Sequence, residues 1–147
     1  MNVIRLAAAT AAIAIVTAAA GLAPAQATQR TKTCTSLSNA TVSGWFGKSM
    51  EPSKIPGIVD CQWVPADKSQ GSLTIQVVPA RYYDEPSLAP QFKRLKGIGD
   101  RAFVDQDMGG WNAGTLKGAK ALVIHVDGGK TDRTTAIAVL KTLLPTV

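Results

Sequence analysis

Residues that carry chemistry are scarce in this chain. It has one histidine, two cysteines and ten acids among 147 residues, with three Trp, two Tyr and three Phe as its aromatics. With one imidazole, every acid–base scheme built on histidine must run through His125. No G-x-S-x-G stretch supplies a nucleophile elbow for it. Cys34 and Cys61 form no C-x-x-C pair, which argues against a redox centre, and one histidine beside them gives no zinc-ligand spacing. Neither metal nor other cofactor is expected. The acids are scattered, and the adjacency of Asp84 and Glu85 does not create the across-the-bond separation that glycoside hydrolysis needs. Aromatics do not interleave with the basic residues, so single strands of nucleic acid have no stacking platform, and nucleic acid is not expected as a partner.

Long apolar runs are also missing, except at the start. Residues 1–27 read as an export signal: Arg5 is the positive region, Leu6 to Ala20 the apolar run, and Ala25-Gln26-Ala27 an A-x-A cleavage site. An uncleaved anchor is the competing reading, but the run is alanine-rich and broken by Gly21 and Pro24. Residues 28–147 are then expected as one domain in the periplasm or outside the cell, with no transmembrane helix after cleavage. The whole chain carries +6; the signal removes only Arg5, so 15 basic against 10 acidic residues leave +5. Such a balance suits a peripheral anionic surface, and Lys93, Arg94 and Lys96 are the one tight basic cluster.

Two cysteines in an exported chain point to a single bridge, Cys34 to Cys61. After it, Ser38 or Asn39 caps a short helix from about Asn39 to Phe46, stopped by Gly47. Lys48 to Pro56 reads as a loop, Ile58 to Val64 as a strand with Val59, Cys61 and Trp63 on one side, and Ser72 to Pro79 as the next strand. Pro86 to Leu95 reads as a helix with Leu88, Phe92 and Leu95 on its apolar face, although Pro90 interrupts it. Gly97-Ile98-Gly99-Asp100 follows that helix and opens a strand, the reverse of a phosphate cradle, so it is taken as a tight reversal with Asp100 bonding nearby amides. Turns at 107–110 and 117–118 frame strands near 111–116 and 120–127, and Thr131 or Asp132 caps a last helix with Ile137, Leu140, Leu143 and Leu144 as its stripe. The expected fold is α+β: a single-layer antiparallel sheet of about five strands packed with three helices and stapled by one disulfide.

The combination C-x-x-L-S-x-A-x-V, C-x-W on a strand, and G-I-G-D-x-A-F before a hairpin resembles a broad group of small exported bacterial proteins. Many are lipoproteins of unknown function, and related domains resemble the extracytoplasmic sensor domains of some bacterial Ser/Thr kinases. The matching positions are Cys34, Leu37, Gly47, Cys61, Trp63, Gly97, Gly99, Asp100 and Ala102. The resemblance implies a disulfide and an α+β sandwich, and no catalytic residue. The chain departs from the lipoproteins in lacking a lipid-attachment cysteine, since TQRTKT separates Ala27 from Cys34.

The functional expectation is a non-enzymatic binding or accessory domain of the bacterial envelope, acting on a protein or a small apolar ligand. Trp45, Phe46, Tyr82, Tyr83 and Trp111 are its candidate ligand residues, because several fall at element ends. One competing reading is a small envelope hydrolase using His125, with Asp127 two residues away on the same strand face. Another is binding of anionic lipid or cell-wall polymer through Lys93, Arg94 and Lys96.

Overall fold

The computed structural model describes residues 33–53 and 60–147. The proposed signal, 1–27, and the first residues of the strand expected from Ile58 lie outside them.

Seven strands form one antiparallel sheet: β1 (Met50–Pro52), β2 (Cys61–Pro65), β3 (Ser72–Pro79), β4 (Lys93–Leu95), β5 (Arg101–Asp107), β6 (Gly110–Lys117) and β7 (Lys120–Asp127). Their spatial order is β1-β2-β3-β7-β6-β5-β4. Among the described residues, 33–35 are helical and two longer α-helices follow, α1 (Asn39–Phe46) and α2 (Arg133–Leu143), with short 3₁₀ turns at Ala80–Tyr82 and Leu144–Thr146. The chain is mostly β. The expected sheet of about five strands is overturned: it has seven, with β1 and β4 added, and the helix expected from Pro86 to Leu95 does not form.

β4 replaces the helix expected from Pro86 to Leu95. Pro90 lacks an amide hydrogen, and Gln91 takes a positive φ of 54°, so helical bonding cannot run through them. Turns closed by Ala89 N–H to Pro86 O and Phe92 N–H to Ala89 O take up the segment instead. Its apolar spacing serves three destinations: Leu88 is 99% exposed, Phe92 packs on Phe103, and Leu95 packs against the core. β1 lies inside the expected Lys48–Pro56 loop. It is three residues long and ends on a proline, which suits an edge strand.

Strand alternation sorts the side chains onto two faces. One face carries Cys61, Trp63, Leu73, Ile75, Ala102, Val104, Ala113, Leu122, Ile124 and Val126, and both helices cover it. The Ser38 hydroxyl caps α1 by accepting the Thr41 amide at 3.1 Å, and Gly47 ends it at φ 65°, which sets Val42 and Phe46 into this core. Asp132 caps α2, accepting the Thr135 amide at 2.8 Å; that bond holds its carboxyl below the usual range. Ala136, Val139, Leu140 and Leu143 recur at helical spacing and are fully buried, with Ile137 and Leu144 only flanking them. The bridge between Cys34 and Cys61, with Cα atoms 5.5 Å apart, ties the chain before α1 to β2.

Residues 80–92 leave β3 and must reach β4 at the far edge, four strand spacings or about 19 Å away. They cross on the second face. Tyr83 and Phe92 flank Phe103 there, with ring centroids 6.0 and 6.2 Å from it. Phe103 fits because its partner across β6 is Gly114, where a Cβ would stand 2.5 Å from the ring. The crossing is clasped by Glu85, whose carboxylate takes Arg94 Nε at 2.8 Å and Arg101 Nη2 at 2.9 Å while its side chain is 5% exposed. Both arginines belong to the second face by register.

Gly97 and Gly99 take φ of 73° and 60°, and a Cβ on Gly99 would meet Leu116 O at 2.4 Å. Asp100 Oδ2 accepts the Gly118 amide at 2.7 Å. The reversal here is therefore structural, and its acid is spent on backbone.

Candidate functional site

Past the crossing, the second face toward β7, β3 and β2 is half-buried and mixed, with Gln62, Ser72, Thr74, Gln76, His125 and Asp127 beside Val64, Val78 and Val123. Two-residue turns at Met108-Gly109 and Gly118-Ala119 fix the registers of both hairpins. Together they align Asp105 with Asn112 and Asn112 with His125. The β3–β7 and β2–β3 registers continue the same line through Thr74 to Gln62. One rank of polar side chains thus crosses five strands.

Within it, Asn112 Nδ2 donates to Asp105 Oδ2 at 3.1 Å, and His125 Nδ1 lies 2.7 Å from Asn112 Oδ1. His125 Nε2 then faces Asp127 Oδ2 at 3.6 Å, and that same oxygen accepts the Ser72 hydroxyl at 3.2 Å. Asp105 is 1% exposed, and its Oδ1 is buried without a hydrogen-bond partner. Burial is the main reason its carboxyl is pushed above the usual carboxylate range; Asp107 adds to this, while Asn112 and His125 oppose it. An unpaired buried oxygen costs free energy, so its presence at the inner end of the rank marks the place as more than packing.

The ring of His125 rests over Gly110, where a Cβ would stand 2.7 Å from Cε1 and 2.8 Å from Nε2. His125 and Asp127 keep 29% and 37% of their side-chain surface exposed. Beside Asp127 a groove of about 460 Å³ runs between residues 70–72, 108–109 and 127–128, with Met108 standing out at its lip, 96% exposed.

The expected ligand residues are not brought together. Phe46 is buried in the core and Trp45 packs at its margin. Tyr82 is 63% exposed under the Arg81 guanidinium, whereas Tyr83 packs on Phe103 beneath Arg101. Burial, with the Glu85 charge beside it, pushes the Tyr83 hydroxyl up to about 12. Trp111 lies on the helix-covered face, stacked under Arg133 at 5.0 Å. The basic cluster divides as well: Lys93 and Lys96 are exposed on or beside the edge strand, and Arg94 is engaged by Glu85.

A second hollow of about 420 Å³ borders the disulfide, but its apolar walls Leu37, Cys61 and Trp63 are already 5%, 6% and 2% exposed. Among the described residues no cluster of three or more His, Cys, Asp or Glu is placed to hold a metal, and no helix is long and apolar enough to cross a membrane.

Sequence reasoning singles out His125 and Asp127, with Ser72 only as one of several available serines, and passes over Asp105 and Asn112. The hairpin turns carried the signal for Asp105 and Asn112, since two-residue loops dictate which residues face each other. The chain matches no protein-family model, no curated protein and no solved structure.

Proposed function

We propose that the protein is an exported, non-enzymatic binding domain of the bacterial envelope that engages a lysine-bearing segment of a partner protein on the second sheet face. The observation that carries this reading is the direction of the hydrogen bonds in the polar rank. Ser72 gives its proton to Asp127 and not to His125, and His125 spends Nδ1 on Asn112. No hydroxyl of the rank is hydrogen-bonded to the imidazole, so the groups hold one another in place and leave acceptor atoms outward. Charge complementarity supplies the partner chemistry: Asp107 and Asp127 flank the ring, with Asp105 behind it, in a chain whose net charge is otherwise positive. The resemblance to small exported bacterial proteins, which implies no catalytic residue, agrees with this reading.

Titrating the isotope-labelled chain with tetralysine peptide tests it. Shifts are expected at Thr74, Asn112, His125 and Asp127, weakening with salt and in Asp127→Asn. Shifts confined to the β4 edge, or none on the second face, would overturn the reading. So would ester or amide hydrolysis abolished by His125→Ala.

A further inference from the structure

The hydrogen-bond directions in the rank specify which ring nitrogen of His125 carries the proton. A carboxylate only accepts, so the Asn112 edge at Asp105 is its NH₂ group, as the 3.1 Å bond has it. Asn112 therefore presents its carbonyl oxygen to the ring at 2.7 Å, and an oxygen requires Nδ1 to donate. In the neutral imidazole, Nε2 is then an acceptor. It faces a second acceptor, Asp127 Oδ2, at 3.6 Å. Two lone-pair-bearing atoms confront each other with no proton between them, and the Ser72 hydroxyl reaches only the carboxylate side.

From this, we infer that His125 Nε2 and Asp127 Oδ2 form a binding site for a primary ammonium group. The site rests on the reading above and gives it an atomic address. One ammonium nitrogen placed about 2.9 Å from both atoms donates a separate N–H to each. Gly110, having no side chain, leaves the room the ring occupies against β6. Asp105 acts through Asn112 as a positioning residue: its buried carboxylate holds the amide, and the amide holds the tautomer.

Protonation of Nε2 competes with the ammonium group, because imidazolium donates from both nitrogens and meets Asp127 itself. The ionisable groups facing the ring are Asp127 on its own strand, Asp107 at the β5–β6 turn, and Asp105 across Asn112; β3 presents Ser72 and Thr74, which do not titrate in this range. Amine binding is accordingly weaker in acid than at neutral pH.

Nitrogen-detected NMR of the full labelled chain tests the site, with n-butylammonium as probe and tetramethylammonium, which has the charge but no N–H, as control. The expected result is the Nδ1–H tautomer at neutral pH, with butylammonium moving the Nε2 resonance and tetramethylammonium leaving it in place. Asp105→Ala should shift the tautomer toward Nε2–H and weaken butylammonium at least fivefold. Asp127→Asn, which replaces a surface group, should weaken it similarly with the tautomer unchanged, so a folding defect in the first variant leaves the second to decide.

An Nε2–H ring in the wild type, or equal effects of the two cations, overturns the site. Either result leaves the proposed function standing if tetralysine still shifts the second face. A silent second face under tetralysine, with the Nε2 response to butylammonium intact, overturns the partner reading and leaves the ammonium site.

Discussion

The ring of His125 fills the space that a side chain on Gly110 would need: a Cβ there would stand 2.7 Å from Cε1, 2.8 Å from Nε2 and 2.6 Å from Val126 O. Gly110 belongs to β6 and takes no left-handed conformation, so this is a question of room, not of backbone freedom. Gly110→Ala is expected to cost about 1–3 kcal/mol, as overpacking does, and to displace the His125 ring signals. Gly109→Ala provides the contrast, because its Cβ meets nothing within 4 Å but its φ of 88° strains any side chain. Both variants should melt lower, and only Gly110→Ala should move His125.

The Glu85 clasp gives the fold a signature at both ends of the pH scale. The Arg94 hydrogen bond, aided by Arg101, holds the Glu85 carboxyl below its ordinary 4.5. Its contribution is thus present above that value and is lost as pH falls through the folded one. Tyr83 runs the other way: burial raises its hydroxyl from 10.0 to about 12, so its contribution is intact below 10.0 and disappears toward 12. Phenolate absorbance should show one tyrosine titrating late, and Glu85→Gln should bring that tyrosine down. The same variant should melt lower than wild type at neutral pH and match it in strong acid. An unmoved tyrosine would mean that Glu85 does not face it in solution.

How much of this was legible beforehand depended on local versus distant pairing. α1, β3 and β7 end where capping and alternation place them, at Asn39–Phe46, Ser72–Pro79 and Lys120–Asp127. β1 and β4 are three residues each, too short for alternation to show, and at β4 an accidental apolar spacing of Leu88, Phe92 and Leu95 imitated a helix. For the site, hairpin register alone joins Asp105, Asn112 and His125. Adding Ser72 and Thr74 requires the β3–β7 pairing, which joins strands more than forty residues apart and has no turn to announce it. The scattering of the expected aromatics has the same origin: Trp45 and Trp111 go to the helix-covered face, Tyr83 to the other.

Asp105 should weigh on stability in the opposite sense to most carboxylates. Burial, then the Asp107 charge, raise its carboxyl above 3.8, so the folded chain holds that proton more tightly than the unfolded one. Ionisation at neutral pH therefore works against folding, and the penalty fades as pH falls through the folded value toward 3.8. Asp105→Asn keeps the shape and removes the charge. It should melt higher than wild type at neutral pH, with the gap closing in acid. A variant that melts lower at neutral pH by a constant margin would show that the carboxylate's bond to Asn112 outweighs its burial.

The disulfide is the remaining lever, and its position says what it controls. It joins Cys34, ahead of α1, to Cys61 on β2, and the Trp63 indole N–H reaching Asn39 Oδ1 at 3.4 Å is a second tie between α1 and that strand. Closing a loop with a sequence separation of 27 contributes about 3.5 kcal/mol in the chain-entropy account. For a chain of this size, that amounts to about 10–15 °C of melting temperature. Cys61→Ser, or reduction of the wild type, should produce that fall. Hydrogen exchange should accelerate first in α1 and β2, while β7, paired on both sides, keeps its protection. A variant that melts with the wild type under oxidising conditions would mean that the Leu37, Val42 and Phe46 contacts hold α1 in place without the bridge.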